Sequence, residues 1–136
     1  MAVRRSRARE QALLILYARD LNPESSDISE INLSKEDKEF SDKLVQLFYE
    51  HAKDIDELIT AHLRKWSFGQ LHVVDKNILR LAIAEYVYGS FGIDRNVVIN
   101  EAVEFAKIYG DADSYRFING LLDTVCLLYT SDAADE

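Results

Sequence analysis

Apolar residues recur along this chain at intervals of three and four, the spacing that places side chains on one face of a helix. Ala8, Ala12, Ile15 and Leu16 begin the pattern. Phe40, Leu44, Leu47, Phe48, His51, Ala52 and Ile55 form a second stripe, and Ile55, Leu58, Ile59, His62, Leu63 and Trp66 continue it as a further helix or a bend. Val74, Ile78, Leu81, Ala82 and Tyr86 lie on one stripe and Leu79, Ile83 and Val87 on another, so that helix is apolar on two sides and belongs at the centre. A helix over 98–109 and a final stripe of Phe117, Ile118, Leu121, Leu122 and Val125 complete the set. No segment shows the strict alternation of a strand, and the pattern predicts an all-α fold, a compact bundle of about six or seven helices.

Local chemistry punctuates these stripes. Residues 22–34 hold the only proline with several serines and acids, the composition of a solvated connection. Ser34 is placed to cap the next helix, and Asp54, Asp56 and Glu57 give a second start signal. Gly69 marks the connection 67–72, Gly89 and Gly92 supply breaks, and Gly110 stands where a left-handed C-terminal cap would sit. Asp113 or Ser114 caps the last helix.

At 136 residues the chain reads as one domain. A chain of this length buries roughly 68–70% of its unfolded surface without metal or disulfide. One cysteine forbids an intramolecular disulfide, and no apolar run approaches the roughly 20 residues of a membrane span. The start, Met1-Ala2-Val3-Arg4-Arg5, has no apolar signal core, so a reducing, cytoplasmic setting is expected and Asn32-Leu33-Ser34 is not read as a glycosylation site.

The net charge of -8 conceals a division. The first 19 residues carry Arg4, Arg5, Arg7, Arg9 and Arg19 against Glu10 alone, and the remainder carries 11 basic and 23 acidic side chains. A basic arm on an acidic body suggests a polyanion for the arm and a basic partner for the body. Because a helix begins inside the arginine run, these cations oppose the macrodipole at a cost of about 0.3–1 kcal/mol each. An external anion would offset that cost. The guanidinium fork grips phosphate and stacks on bases, which favours a nucleic acid as that anion.

The sequence holds no recognisable catalytic constellation. His51, His62 and His72 are eleven and ten residues apart, without the spacing that converges on one metal, and His51 and His62 sit on apolar stripes as structural histidines. Asp54, Asp56 and Glu57 read as a helix start, and the dispersed glycines form no phosphate-cradling loop. No cofactor, no metal and no enzymatic activity are expected.

Three segments read together resemble the NusB family of bacterial transcription antitermination factors. They are Arg4-Arg5-Ser6-Arg7-Ala8-Arg9-Glu10-Gln11-Ala12-Leu13 with Tyr17; Val74-Asp75-Lys76-Asn77-Ile78-Leu79-Arg80-Leu81-Ala82 with Glu85; and Ile99-Asn100-Glu101-Ala102-Val103-Glu104-Phe105-Ala106-Lys107 followed by Ser114-Tyr115-Arg116-Phe117-Ile118-Asn119-Gly120-Leu121-Leu122-Asp123. The resemblance spans residues 4–125. Asp94 departs from it, standing where the family usually has proline, and leaves the helix start near Val97 less sharply fixed.

The resemblance implies an all-helical, non-enzymatic protein that binds the boxA element of nascent RNA together with NusE, a small-subunit ribosomal protein, and lets RNA polymerase read through terminators in ribosomal RNA synthesis. It further implies RNA contacts from Arg4, Arg5, Arg7 and Arg9, with Tyr17, Tyr115 and Arg116 extending the surface, since arginines for the backbone and aromatic rings for splayed bases suit single-stranded RNA. Asp75 and Glu85 are the candidates for meeting a basic NusE surface. Asn100 and Glu101 are expected to hold a helix start or a neighbouring loop, and Asn119 and Gly120 to permit close helix packing. Self-association of some family members makes a homodimer that buries the arm a further possibility.

Two other readings stay open. A similar domain occurs at the N-terminus of ribosomal RNA cytosine methyltransferases, so the chain could be the RNA-binding part of a truncated enzyme. A helical module whose arginine arm binds an acidic protein is the third class. Residues 126–136 (CLLYTSDAADE) end the apolar stripe and look like a translated sequencing adaptor, which sets the domain at 1–125 and the rest as a non-native tail.

Overall fold

The computed structural model describes residues 5–24 and 32–134, the side chains of 130–134 aside. Among the described residues there are six α-helices: α1 (Ser6–Leu21), α2 (Lys35–Glu50), α3 (Ala52–Ala61), α4 (Val73–Ile83), α5 (Arg95–Tyr109) and α6 (Ser114–Ala134). None is long and apolar enough to cross a membrane. A 3₁₀ turn, Phe68–Gln70, precedes α4, and a π-helical segment, Ala84–Tyr88, follows it directly.

The all-helical expectation holds, and α4 is central, packed against α1, α3, α5 and α6. Both of its stripes are used: Ile78, Leu79, Leu81, Ala82 and Ile83 are all buried. Each such aliphatic side chain removed from water contributes about 1.5–3 kcal/mol, so this helix anchors the core. Its partners are Ala8, Ala12, Leu13 and Leu16 of α1, Ile55 and Ile59 of α3, and Ile118, Leu122 and Val125 of α6.

Several boundaries follow the sequence signals. Ser34 caps α2, its hydroxyl accepting from the Asp37 amide at 3.1 Å. The second and third stripes are separate helices that break at His51, whose ring stacks on Tyr88 at 4.1 Å.

Others differ, each for a physical reason. The start of α3 is Ala52, ahead of the acidic signal, because the chain turns at His51. Trp66 is not on the helical stripe: α3 ends at Ala61 and the indole is 56% exposed. Asp94 fixes the start of α5 instead of blurring it, its carboxylate accepting from the Asn96 amide at 2.8 Å. Gly110 is extended, not left-handed. A Cβ there would sit 2.7 Å from Ser114, so glycine serves close approach at the α5–α6 corner. Gly120 needs no such space: it and Asn119 are exposed, and a Cβ at Gly120 would meet nothing within 4 Å. Asn100 and Glu101 lie past the first turn of α5 and do not cap it, but Glu101 does hold a helix start, that of α1, where it accepts from Ser6 and Arg9. The last helix continues beyond Val125; Cys126 is buried, which pushes its thiol up to about 12.

Candidate functional site

The arginine-bearing start of α1 is built from few local stabilisers. Its N-cap is Arg5, without a side-chain cap bond, and its first turn holds no acid. Remote carboxylates compensate. Arg9 turns inward, 5% exposed, and its fork closes on Glu85 of the π segment, Nε donating to Oε1 and Nη2 to Oε2, each at 2.7 Å. Nη1 of the same guanidinium donates to Glu101 of α5 at 2.8 Å, and the Ser6 hydroxyl donates to that Glu101 oxygen too. Burial alone would lower the Arg9 pKa, but the bonds to Glu85 and Glu101 outweigh it and the net shift is upward. The anion that offsets the arginine charge is therefore internal at Arg9, which corrects the argument that a ligand must supply it.

Of the other expected contact residues, Arg4 lies outside the described residues. Arg5 is half-buried, its guanidinium 4.2 Å from the centroid of the Phe40 ring, an attractive cation–π geometry. Arg7 is exposed. Tyr17 is half-buried on α1, on the stripe of Arg9, Leu13 and Asp20. Tyr115 is half-buried at the start of α6, its hydroxyl accepting from Arg116 Nε at 3.0 Å, with the Lys107 ammonium 5.5 Å from the ring. Arg116 is exposed. No hydrogen bond, ion pair or ring contact among the described residues joins Tyr115 or Arg116 to Arg5 or Arg7. The nearest fastening is from Glu10, which accepts from the Tyr109 hydroxyl and so ties α1 to the end of α5.

Arg9 and Glu85 are thus each other's partner, buried in the interior and not displayed on the surface as the sequence led one to expect. Glu85 is 1% exposed. Asp75 is also inside, 7% exposed, where Oδ2 accepts from the Ser114 hydroxyl at 3.2 Å and Oδ1 has no hydrogen-bond partner among the described residues. Burial raises its pKa, against the lowering by Ser114 and His72. It lines a groove of about 410 Å³ with Trp66, Leu71, Phe117, Asp111 and Asp113.

Sequence reasoning missed a second polar network. Arg80 forks onto Asp56 at 2.9 and 2.8 Å, and donates to Asp20 and to the Asn77 carbonyl oxygen at 3.3 and 3.1 Å. Lys76 lies 3.0 Å from the same Asp20 carboxylate. Burial would raise the Asp20 pKa, but its bonds to Lys76 and Asn77 prevail and lower it. With Arg9 on Glu85 at one end and Asp20 on Asn77 at the other, α1 is fastened antiparallel to α4. The only local signal was an Asp-rich turn that looked like a helix start. No group of three or more His, Cys, Asp or Glu side chains suited to a metal occurs among the described residues.

The chain is 40% identical over 127 residues to the transcription antitermination protein NusB of Bacillus cereus (strain B4264), covering 90% of this chain and 97% of that protein. Among solved structures it is similar to NusB of T. maritima, with a TM-score of 0.83, 33% identity and coverage of 93% and 92% of the two chains. A NusB solved with NusE and double-stranded RNA superimposes with a TM-score of 0.79, 30% identity and coverage of 92% and 97%. The match extends over nearly the whole length of each of these relatives. The model of the NusB family itself matches residues 6–126, and the chain belongs to that family.

Proposed function

We propose that this chain is a bacterial transcription antitermination factor, acting in the cytoplasm, that binds boxA-containing RNA with NusE and joins the RNA polymerase elongation complex to promote read-through in ribosomal RNA synthesis. It is a binding protein and not an enzyme. The observation that carries this reading is the start of α1, where Arg7 is exposed and Arg5 half-buried on an otherwise acidic protein, at the beginning of the region, residues 6–126, matched to a family with a member solved with NusE and RNA. Arg5 and Arg7, with Arg4 ahead of them, supply the phosphate and base contacts. Tyr17, Tyr115 and Arg116 extend the surface.

NusE meets the acidic side of the molecule. Glu85 is withdrawn from that role by its burial, and Asp75, itself buried, lines a groove in which Asp111 and Asp113 offer the exposed carboxylates beside Trp66. Fluorescence anisotropy of labelled boxA RNA at increasing salt tests the proposal. The log–log slope should be about −0.7 for each phosphate neutralised on single-stranded RNA, and a flat response would refute the arm as the site.

A further inference from the structure

The start of α1 needs an account of why it is helical at all. Three cations crowd the positive end of a helix that has neither a capping side chain nor an acid in its first turn. Two carboxylates from distant elements supply what is missing locally, Glu85 from the π segment and Glu101 from α5. Both converge on Arg9, and Glu101 also accepts a hydrogen bond from the hydroxyl of Ser6, the residue between Arg5 and Arg7. Two anions against one paired cation leave a net negative charge under the turn, which favours Arg5 and the helix N-terminus as well.

The backbone of the π segment is shaped to the same end. Glu85 lies in the first turn of Ala84–Tyr88, and the chain then turns away through Gly89, Ser90 and Gly92, the last two at φ 54 and 69°. At Gly89 a Cβ would lie 2.4 Å from the Glu85 carbonyl oxygen, so only glycine permits this turn. Phe91 from that turn packs edge-on against Phe40 at 5.1 Å, and Phe40 is the ring beneath Arg5. The arm thus rests on one continuous support.

We infer that Glu85 and Glu101 are positioning residues for RNA binding: they touch no RNA, but they hold the first turn of α1 so that Arg7 and the outer face of Arg5 are presented together. This inference rests on the proposed role of the arm. Its sign separates it from simple electrostatics, because removing a negative charge beside an RNA site should tighten binding, whereas removing a support should weaken it.

Glu85 is so deeply buried that its variants could fail to fold, so the test uses Glu101→Ala, Glu101→Gln and Ser6→Ala in the full chain. Binding of labelled boxA RNA and of NusE is measured for each, and Cα chemical shifts report helical order over 6–10. Glu101→Ala should weaken RNA binding by about three- to tenfold, a fraction of the worth of its two hydrogen bonds because the Arg9–Glu85 pair still holds the turn, with reduced helical shifts over 6–10 and NusE affinity within about twofold. Glu101→Gln, which still accepts from Arg9 and Ser6, should recover most of that loss, and Ser6→Ala should show a smaller loss. Unchanged or tighter RNA binding by Glu101→Ala, while Arg7→Ala weakens it, would overturn the positioning role and leave the arm as the RNA site. If Arg7→Ala has no effect either, it is the proposed arm that fails.

Discussion

Arg9 and Glu85, separated by 76 positions in the chain, meet as a two-pronged ion pair with both bonds at 2.7 Å and almost no exposure of either side chain. The pair separates the arginines of the first turn by function. Arg9 is part of the interior, while Arg7 faces solvent one residue from Ser6 and Ala8.

Truncating one partner strands the other. Arg9→Ala should destabilise the fold by about 3–5 kcal/mol, because Glu85 would remain as an uncompensated buried charge. Arg7→Ala should leave the melting temperature unchanged and weaken RNA binding. Thermal melts of the two variants check this, and equal melting temperatures would contradict the interior role of Arg9.

The Arg80 network makes a similar demand on geometry. Arg80→Lys keeps the charge but cannot reproduce a fork onto Asp56 with further bonds to Asp20 and Asn77. It should cost about 1–3 kcal/mol in urea denaturation, the scale of charged hydrogen bonds lost from a part-buried site. A loss below about 0.5 kcal/mol, the level of an ordinary surface change, would show that the network is replaceable.

Asp75 gives a pH-dependent prediction. Its pKa is raised by burial, so its carboxyl favours the fold when protonated. That contribution is fully present below the unfolded value of about 3.9 and is lost as pH rises through the raised folded value. Asp75→Asn removes the titration and should therefore be stabilising relative to the native chain at pH 7, with the difference shrinking toward pH 4. It should also weaken NusE binding if the groove is the partner site. Melting curves at the two pH values and a NusE titration read both effects.

Tyr109 should titrate late. Its hydrogen bond to Glu10, with burial, pushes the phenol up to about 12 from 10.0. Ionisation followed by ultraviolet absorbance should show one tyrosine near that value, moving down in Glu10→Gln. The raised value also means that this contact contributes stability up to pH 10 and loses it as pH rises through the folded value.

Much of the fold was legible because helical burial is periodic. Phe40, Leu44 and Phe48 and the double stripe of α4 declare their faces within a few residues, and Ser34 declares a cap three residues from the amide it serves. What stayed hidden depends on residues remote in sequence. Nothing near Arg9 reveals Glu85 or Glu101, so all four early arginines looked alike, and nothing near Asp56 reveals Arg80. Gly110 was visible as a helix end, but its extended conformation is set by the approach of Ser114 from the next helix. The π segment has no periodic signature, since Tyr86 and Val87 fit the α-helical stripes equally well. The charged arm was legible as a feature; which of its members face solvent was not.

Fluorescence anisotropy of labelled boxA RNA, titrated with the full chain with and without NusE and beside a scrambled RNA of equal length, decides whether this protein recognises boxA as an antitermination factor. Preferential binding to boxA that NusE strengthens is expected. Equal binding to both RNAs, or none to either in the presence of NusE, would contradict it.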